Sequence, residues 1–310
     1  MNGVKTAVIP VAGLGTRLLP ASKAIPKEMV PVVDKPVIQY VVEEAIAAGI
    51  NRIVLVTRSG KEAIENHFDR HFELESELER KGKSELLRRI TSTVPAGVEL
   101  LSVRQPKAAG LGDAIRCAAA AIGDEPFAVM LPDVLVHTRL NAGWNMKHMI
   151  DRFEKTRAAQ ILVERVPGNL VDQYGIVDCG HKLMKVGQSA RIFDMIEKPP
   201  ATEAPSDLAI VGRYILPPLV LELLKSTGRG AGGEIQLTDA MSELLERSPM
   251  EALMMRGRTY DCGNKAGYMQ ANIALSLEDA DIGLEMQQFL ASMIRKGAAE
   301  GLDFQLSEVA

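Results

Sequence analysis

The sequence has little cysteine, no excess of positive charge and no long apolar run, and each absence excludes a class of protein. Its 310 residues include three cysteines, a sparse and odd set that argues against a disulfide framework and for a reducing compartment. The 36 lysines and arginines are outnumbered by 40 aspartates and glutamates, so nucleic acid is not expected as a partner. No uncharged apolar run approaches the roughly 18 residues of a membrane span. These absences predict a cytoplasmic protein without a membrane partner.

Apolar runs and helical periods alternate along the first part of the chain. Lys5–Val11 and Arg52–Thr57 are apolar runs that predict buried strands. The apolar spacing of Val37–Ile46 predicts a helix between them, which we expect Asp34 to cap and Gly49 to end. A strand, a helix and a strand in this order form a βαβ unit, which requires parallel strands.

The alternation continues, and the second half of the chain changes character. Further helices are predicted at Lys61–Leu87 and Gly112–Ile122, with strands at Val98–Val103 and Phe127–Leu131. Short runs typical of antiparallel strands follow at Ile161–Val166, Gly175–Asp178, Arg191–Ile196 and Leu208–Ile215. The later helices are predicted at Leu219–Lys225, Glu234–Glu246, Lys265–Leu277 and Leu284–Arg295. The predicted fold class is α/β, with a Rossmann-like, mostly parallel mixed sheet flanked by helices, an antiparallel part and C-terminal helices.

A glycine loop, Ala12-Gly13-Leu14-Gly15-Thr16-Arg17, follows the first predicted strand. Ligands of parallel sheets bind at the carboxyl ends of strands, and glycines allow backbone N–H groups to approach an anion. The chain has no P-loop motif, and Leu18 occupies the third glycine position of the dinucleotide-binding fingerprint. The glycines alone could form a structural turn. The cations that follow, Arg17, Lys23 and Lys27, instead favour a polyanion such as a triphosphate.

A series of short motifs extends over nearly the whole chain. After Ala7–Gly49 come Arg104-Gln105, Gly110-Leu111-Gly112, Leu131-Pro132-Asp133-Val134, Tyr174-Gly175, Glu197-Lys198-Pro199, Glu234–Asp239 and Asp261–Lys265. In this order they resemble the motifs of the sugar nucleotidyltransferases, and among these the bacterial UTP–glucose-1-phosphate uridylyltransferases. The resemblance implies transfer of a uridylyl group from UTP to α-D-glucose 1-phosphate by direct in-line attack with Mg²⁺, giving UDP-glucose and pyrophosphate.

The resemblance also implies roles for individual residues. The catalytic residues would be Arg17, Lys27 and Lys198. The nucleotide-binding residues would be Ala12, Gly13, Leu14, Gly15, Thr16, Glu28, Gln105 and Gly110. The sugar-binding residues would be Tyr174, Gly175, Glu197 and Lys198. The metal ligands would be Asp133, which also follows a predicted buried strand, and Asp261, since hard carboxylate oxygens suit Mg²⁺.

The expected organisation is a single catalytic domain with a short tail. The domain would span residues 1–280, with a nucleotide-binding half at about 1–135 and a sugar-binding half at about 136–262, before a helical tail at 281–310. The resemblance implies a homodimer or homotetramer. Three positions depart from the family pattern: Ala109, Asp113 and Gly233 stand where a lysine, a histidine and an acidic residue are common.

Other functions are weighed against this one. A regulatory relative that binds nucleotide sugar without turnover is disfavoured, because non-catalytic relatives lose the Thr16-Arg17 pair present here. A thymidylyltransferase-type enzyme with another nucleotide and sugar stays open. A glycosyltransferase would typically show Asp-x-Asp, whereas the chain has Asp133-Val134-Leu135. A dehydrogenase is disfavoured by the missing third glycine.

Overall fold

The structure is a computed structural model that describes residues 3–138, 141–180 and 182–299. Its strands are β1 Thr6–Pro10, β2 Pro31–Val32, β3 Lys35–Pro36, β4 Arg52–Thr57, β5 Glu99–Arg104, β6 Phe127–Met130, β7 Val134–His137, β8 Ala159–Arg165, β9 Gly175–Asp178, β10 Ser189–Arg191, β11 Asp194–Glu197, β12 Leu208–Leu216, β13 Met250–Met254 and β14 Arg258–Asp261. Its helices are α1 Val37–Ala47, α2 Glu62–Phe68, α3 Phe72–Arg80, α4 Ser84–Thr91, α5 Leu111–Cys117, α6 Ala119–Ile122, α7 Trp144–Thr156, α8 Leu219–Ser226, α9 Leu237–Arg247, α10 Lys265–Ser276 and α11 Gly283–Ala299.

The main sheet contains ten strands of the described residues. Its path is β10-β13-β8-β12-β6-β1-β4-β5, and β9 pairs with β12 and carries β11. Strands β1, β4, β5 and β6 pair in parallel. Strand β12 is antiparallel to β6, β8 and β9, so these three share one direction, which β13 follows by its parallel pairing with β8. Only β10, β11 and β12 run the other way, which confirms the predicted mostly parallel mixed sheet.

Helices cover both faces of this sheet, which explains the nearly continuous apolar strands. Val8 of β1 packs in a core cluster with residues of α5, α8 and α9. Its neighbours Ala7 and Ile9 belong to the opposite cluster, with residues of α1 and α7. Successive side chains of a strand point to opposite faces, so each apolar residue of β1 is buried in one of two cores.

The predicted cap of α1 is wrong. The helix begins at Val37 without a side-chain cap, and Asp34 forms an ion pair with Arg89 of α4. The reason is the short hairpin of β2 and β3, in which Lys35–Pro36 are paired as a strand immediately before the helix. Asp34 therefore lies in the hairpin turn, too far from the first helical turn to cap it.

Several boundaries and elements also differ from the prediction. The segment predicted as one helix at Lys61–Leu87 contains α2, α3 and the start of α4, and the predicted strand Arg191–Ile196 is divided between β10 and β11. The sequence prediction missed β2, β3, β7, α7, β13 and β14.

Strands β7 and β14 form a separate two-stranded ribbon in which Asp261 lies opposite Val134. This ribbon lies outside the main sheet but positions part of the site.

The C-terminal part is helical as far as it is described. Helix α11 spans Gly283–Ala299, and residues 300–310 of the predicted tail lie outside the described residues. Within the described part of the chain, none of the helices has both the length and the apolar character needed to cross a membrane.

Candidate active site

The glycine loop leaves the carboxyl end of β1 and is shaped around one lysine. Gly15 has φ +70°, a conformation that glycine adopts without steric cost. A Cβ on Gly13 would lie 3.5 Å from Lys27 Cε, and one on Gly15 would lie 3.2 Å from Lys27 Cβ. Ala12 is buried, whereas Leu14 is 63% exposed. The missing side chains leave room for Lys27 to extend along the loop.

Two carboxylates face this loop from distant parts of the chain. Asp133 follows β6 at the same sheet edge, and Asp261 ends β14 in the ribbon with β7. The backbone N–H of Cys262 donates to the carbonyl of Asp133 at 2.8 Å and joins the two segments. The structure therefore brings together the two residues predicted as metal ligands.

The predicted phosphate-binding cations bind these carboxylates directly. Lys27 Nζ lies 2.5 Å from Asp133 Oδ2. Arg17 Nη1 lies 2.8 Å from Asp261 Oδ2, and its Nη2 lies 3.6 Å from Asp133 Oδ2. Burial alone would raise the pKa of Asp133, but the charge and hydrogen bond of Lys27 outweigh it and hold this pKa below its ordinary value. Burial disfavours the charged Lys27, yet Asp133 and then Glu28 raise the pKa of the lysine above its usual value.

Gly263 lies directly against these charged groups, which its lack of a side chain allows. A Cβ at this position would lie 2.5 Å from Asp133 Oδ2, 2.7 Å from Arg17 Nη2 and 2.9 Å from Asp261 Oδ1. The carboxylate oxygens of two residues come together beside Gly263, and such hard donors suit a cation such as Mg²⁺. Because the described residues contain no cluster of three or more His, Cys, Asp or Glu, substrate and water would supply the other ligands.

Glu28 follows Lys27 in the chain and is buried beneath these charged groups. It pairs with Lys61, a residue that the sequence did not indicate. Its side chain has no exposed surface, and Lys61 Nζ lies 2.6 Å from its Oε2. The other oxygen, Oε1, is buried without a hydrogen-bond partner. Burial raises the pKa of Glu28, against the opposing charges of Lys61 and Lys27. Lys61 lies shortly after β4. Its position near the carboxyl end of a parallel strand is the sequence feature that could have indicated a role in the site.

The predicted sugar-binding residues also meet. Glu197 ends β11 opposite Gly175 of β9, and the Thr238 hydroxyl donates to Glu197 Oε2 at 2.7 Å. The backbone N–H of Lys198 donates to the carbonyl of Tyr174 at 3.0 Å. Lys198 has φ +48°, a conformation that is rare outside glycine and is concentrated at ligand sites. Thr238 lies in a motif noted in the sequence but was not assigned a role.

Tyr174 connects the sugar-binding residues with the carboxylates. Burial raises the pKa of its phenol, and the negative charges of Glu164 and Asp261 act in the same direction. Glu164 lies near the carboxyl end of β8 and accepts a hydrogen bond from the Thr259 hydroxyl at 2.5 Å. No sequence motif distinguished Glu164, which enters the site only because β8 runs in the same direction as β6.

A buried arginine fixes the turn that carries Asp133. Arg213 of β12 is fully buried and is paired with Glu44 of α1. Its guanidinium donates to the carbonyls of Leu131 at 3.1 Å and Val134 at 2.8 Å. These two carbonyls flank Asp133, so the arginine holds both sides of the turn.

Gln105 and Gly110, two of the predicted nucleotide-binding residues, lie further along the sheet edge that carries the glycine loop. Gln105 follows β5, and its Nε2 donates to the carbonyl of Gly110 at 3.2 Å. Gly110 has φ +107°, and a Cβ there would lie 2.6 Å from the carbonyl oxygen of Ile235. The strands from β5 to β6 thus carry Gln105, Lys61, the glycine loop and Asp133 along one edge.

Comparisons with known proteins match nearly the whole chain. The chain matches the nucleotidyl transferase family over residues 6–277. It is 50% identical to the UTP–glucose-1-phosphate uridylyltransferase of Haemophilus influenzae over 292 residues, which cover 93% of this chain and 99% of that protein. A UTP-bound UGPase from Acinetobacter baumannii is 51% identical with a TM-score of 0.87, covering 93% of this chain and 99% of its own. A UDP-glucose pyrophosphorylase complexed with UDP-glucose is 38% identical with a TM-score of 0.78, covering 89% and 100%.

Proposed function

The chain belongs to the nucleotidyl transferase family, and we propose that it transfers a uridylyl group from UTP to α-D-glucose 1-phosphate. The products are UDP-glucose and pyrophosphate. The observation that carries the proposal is the group of Arg17, Lys27, Asp133 and Asp261, which meet against Gly263 beside the glycine loop. The relatives bound to UTP and to UDP-glucose support the same substrates for this chain.

The reaction requires positioning and charge neutralisation more than acid–base chemistry. The attacking phosphate monoester has a second pKa of about 6, so it is largely ionised at neutral pH and needs no general base. Arg17 and Lys27 bind the triphosphate, and Arg17 stabilises the charge that develops on departing pyrophosphate. Lys198 binds the sugar phosphate and keeps it in line with the α-phosphorus.

Enzymes of this family generally use a divalent metal, and we infer that Mg²⁺ is the metal here. Asp133 and Asp261, whose carboxylates come together beside Gly263, would hold it, and when bound it neutralises phosphate charge. These carboxylates are paired with Arg17 and Lys27, the same cations that we assign to the triphosphate. Binding of UTP and of the metal is therefore expected to be mutually favourable.

The remaining predicted residues divide between the two substrates. Gln105, Gly110 and the backbone of 12–16 hold the nucleotide, and the buried Glu28, predicted with them, supports Lys27 from the interior. Tyr174, Gly175 and Glu197 hold the glucose unit, with Glu197 accepting hydrogen bonds from sugar hydroxyls. The nucleotide-binding half would span about 1–135 and the sugar-binding half about 136–262 of one catalytic domain at 1–280. We infer that the enzyme acts in the cytoplasm as a homodimer or homotetramer.

Pyrophosphate release over a matrix of nucleoside triphosphates and sugar 1-phosphates tests the reaction. With Mg²⁺, the fastest release is expected for UTP with glucose 1-phosphate, and a chelator should abolish it. Arg17→Ala is expected to lower kcat by a factor of about 100 to 1,000 without unfolding the protein. Arg80→Ala, at an exposed arginine of α3, is the matched control. Silence with every substrate pair would contradict the proposal, and a preference for dTTP would favour a thymidylyltransferase.

A further inference from the structure

Asp113 holds the side chain of Gln105 in one orientation. Both residues are nearly buried, at 4% exposed for Gln105 and 6% for Asp113. Gln105 Nε2 donates to Asp113 Oδ2 at 2.8 Å and to the carbonyl of Gly110 at 3.2 Å. The amide nitrogen of Gln105 therefore has two partners on the same side.

The chemistry of these two partners fixes which end of the amide faces them. A carboxylate and a backbone carbonyl only accept hydrogen bonds, so the NH₂ group of Gln105 must face Asp113 and Gly110. The opposite orientation would direct the amide oxygen at two other oxygens. Oε1 consequently faces away, accepts no hydrogen bond from the described residues, and is not enclosed in the interior. It remains an open acceptor.

Asp113 is itself anchored, which makes it a rigid support. Its other oxygen, Oδ1, accepts a hydrogen bond from Arg116 at 2.5 Å, one turn further along α5. The backbone before α5 is fixed by Ile235, which donates to the carbonyl of Ala109 at 2.8 Å and accepts from the N–H of Gly112 at 2.9 Å. Each oxygen of the Asp113 carboxylate thus has a dedicated donor.

We propose that Asp113 is a positioning residue that makes the site select uracil over cytosine. The inference rests on the proposed use of UTP. By directing Gln105 Oε1 away from itself and toward the base, Asp113 presents an acceptor to the N3–H of uracil, which is a donor. In cytosine N3 carries a lone pair, so two acceptors would face each other without a hydrogen bond. Asp113 departs from the histidine of the family pattern that this chain resembles, so we propose this role for this chain alone.

The first test compares kcat and KM for UTP and CTP, with glucose 1-phosphate held constant. Asp113→Asn keeps the shape but offers both a donor and an acceptor, so only the Gly110 carbonyl still favours the original orientation of Gln105. The preference for UTP over CTP, as the ratio of kcat/KM values, should fall on the order of tenfold. The fall should come from KM for UTP, with little change in kcat. Asp151→Asn, at an exposed aspartate of α7, is the matched control.

A second arm separates positioning from a structural role. In a Gln105→Ala background, Asp113→Asn should no longer change the ratio of the UTP and CTP values, because its effect passes through Gln105. Arg116→Gln removes the donor to Asp113 Oδ1 and should lower the UTP-to-CTP ratio of kcat/KM by a smaller factor. This variant replaces Asp113→Asn in the test if Asp113→Asn does not fold. An equal loss for both nucleotides, or an effect that persists without Gln105, overturns the inference alone. Absence of UTP turnover in the unaltered protein rejects the proposed function and the inference with it.

Discussion

Glu28 and Lys61 form a buried ion pair next to the charged groups of the site. Water cannot reach the Glu28 carboxylate, and Lys61 is its only hydrogen-bond partner among the described side chains. Removing one member of a buried ion pair leaves an uncompensated charge. Lys61→Met should therefore lower the free energy of unfolding near neutral pH by about 3 kcal/mol, measured by urea denaturation. Lys81→Met, at an exposed lysine of an ion pair, should change it by less than about 1 kcal/mol.

The free energy of unfolding should depend on pH through Glu28, and the direction follows from the raised pKa of this group. Because burial raises the pKa of Glu28, the folded protein binds this proton more tightly than the unfolded chain. The contribution of Glu28 to stability is therefore full below its unfolded pKa of about 4 and is lost as pH rises through the higher folded pKa. Without Lys61 the folded pKa rises further.

Stability measurements at several pH values check this sign. The deficit of Lys61→Met should be small at acidic pH, where Glu28 is protonated, and should grow between about pH 5 and pH 8. Adding Glu28→Gln to Lys61→Met should remove this growth, since the titrating group is gone. A deficit that is the same at every pH would show that the ion pair does not explain it.

At the scale of secondary-structure elements, the ribbon of β7 and β14 determines how the site is assembled. Asp261 reaches Asp133 because it lies opposite Val134 in this ribbon. The sequence indicated both aspartates by their motifs, but it did not predict either strand. Each strand has four residues, and a run this short has no periodicity that separates it from a loop.

The segment after β14 gives a prediction at this scale. Gly263→Ala places a methyl group within 3.0 Å of Asp133, Arg17 and Asp261, so the charged groups must shift. We expect kcat to fall about 100-fold, since displacements near 1 Å have effects of this size. Circular dichroism should show an unchanged fold.

Gly168→Ala provides the control for this substitution. A Cβ at Gly168 would have no atom within 4 Å, so activity should be retained. Full activity in Gly263→Ala would mean that the positions of the charged groups packed against Gly263 do not matter for the reaction.

At the scale of the whole molecule, helices α10 and α11 bear on how the protein assembles. Their exposed apolar side chains are Met269 and Ile273 on α10 and Leu284, Phe289, Met293 and Ile294 on α11. A contiguous patch of exposed apolar side chains is typical of an interface. We infer that these side chains form such a patch and that a second copy of the chain covers it, consistent with the proposed homodimer or homotetramer.

Light scattering measures this association. The protein should have the mass of a dimer or a tetramer, and a double change of Phe289→Asp and Ile294→Asp should lower it towards the monomer. The same pair of changes at Phe72 and Leu74, exposed on α3, is the control. A monomeric mass for the unaltered protein would contradict the inferred assembly.

The sequence by itself determined the order of most strands and helices, because apolar period and turn residues act locally and each run carries its own signal. It also placed Asp133 and the glycine loop with Arg17 at one sheet edge, because parallel strands bring their carboxyl ends together. Only the tertiary structure decided that Lys61 pairs with Glu28 and that Arg213 holds the turn of Asp133. It alone fixed the orientation of Gln105 through Asp113. These contacts join residues far apart in the chain or depend on one rotamer, and packing and strand register decide them.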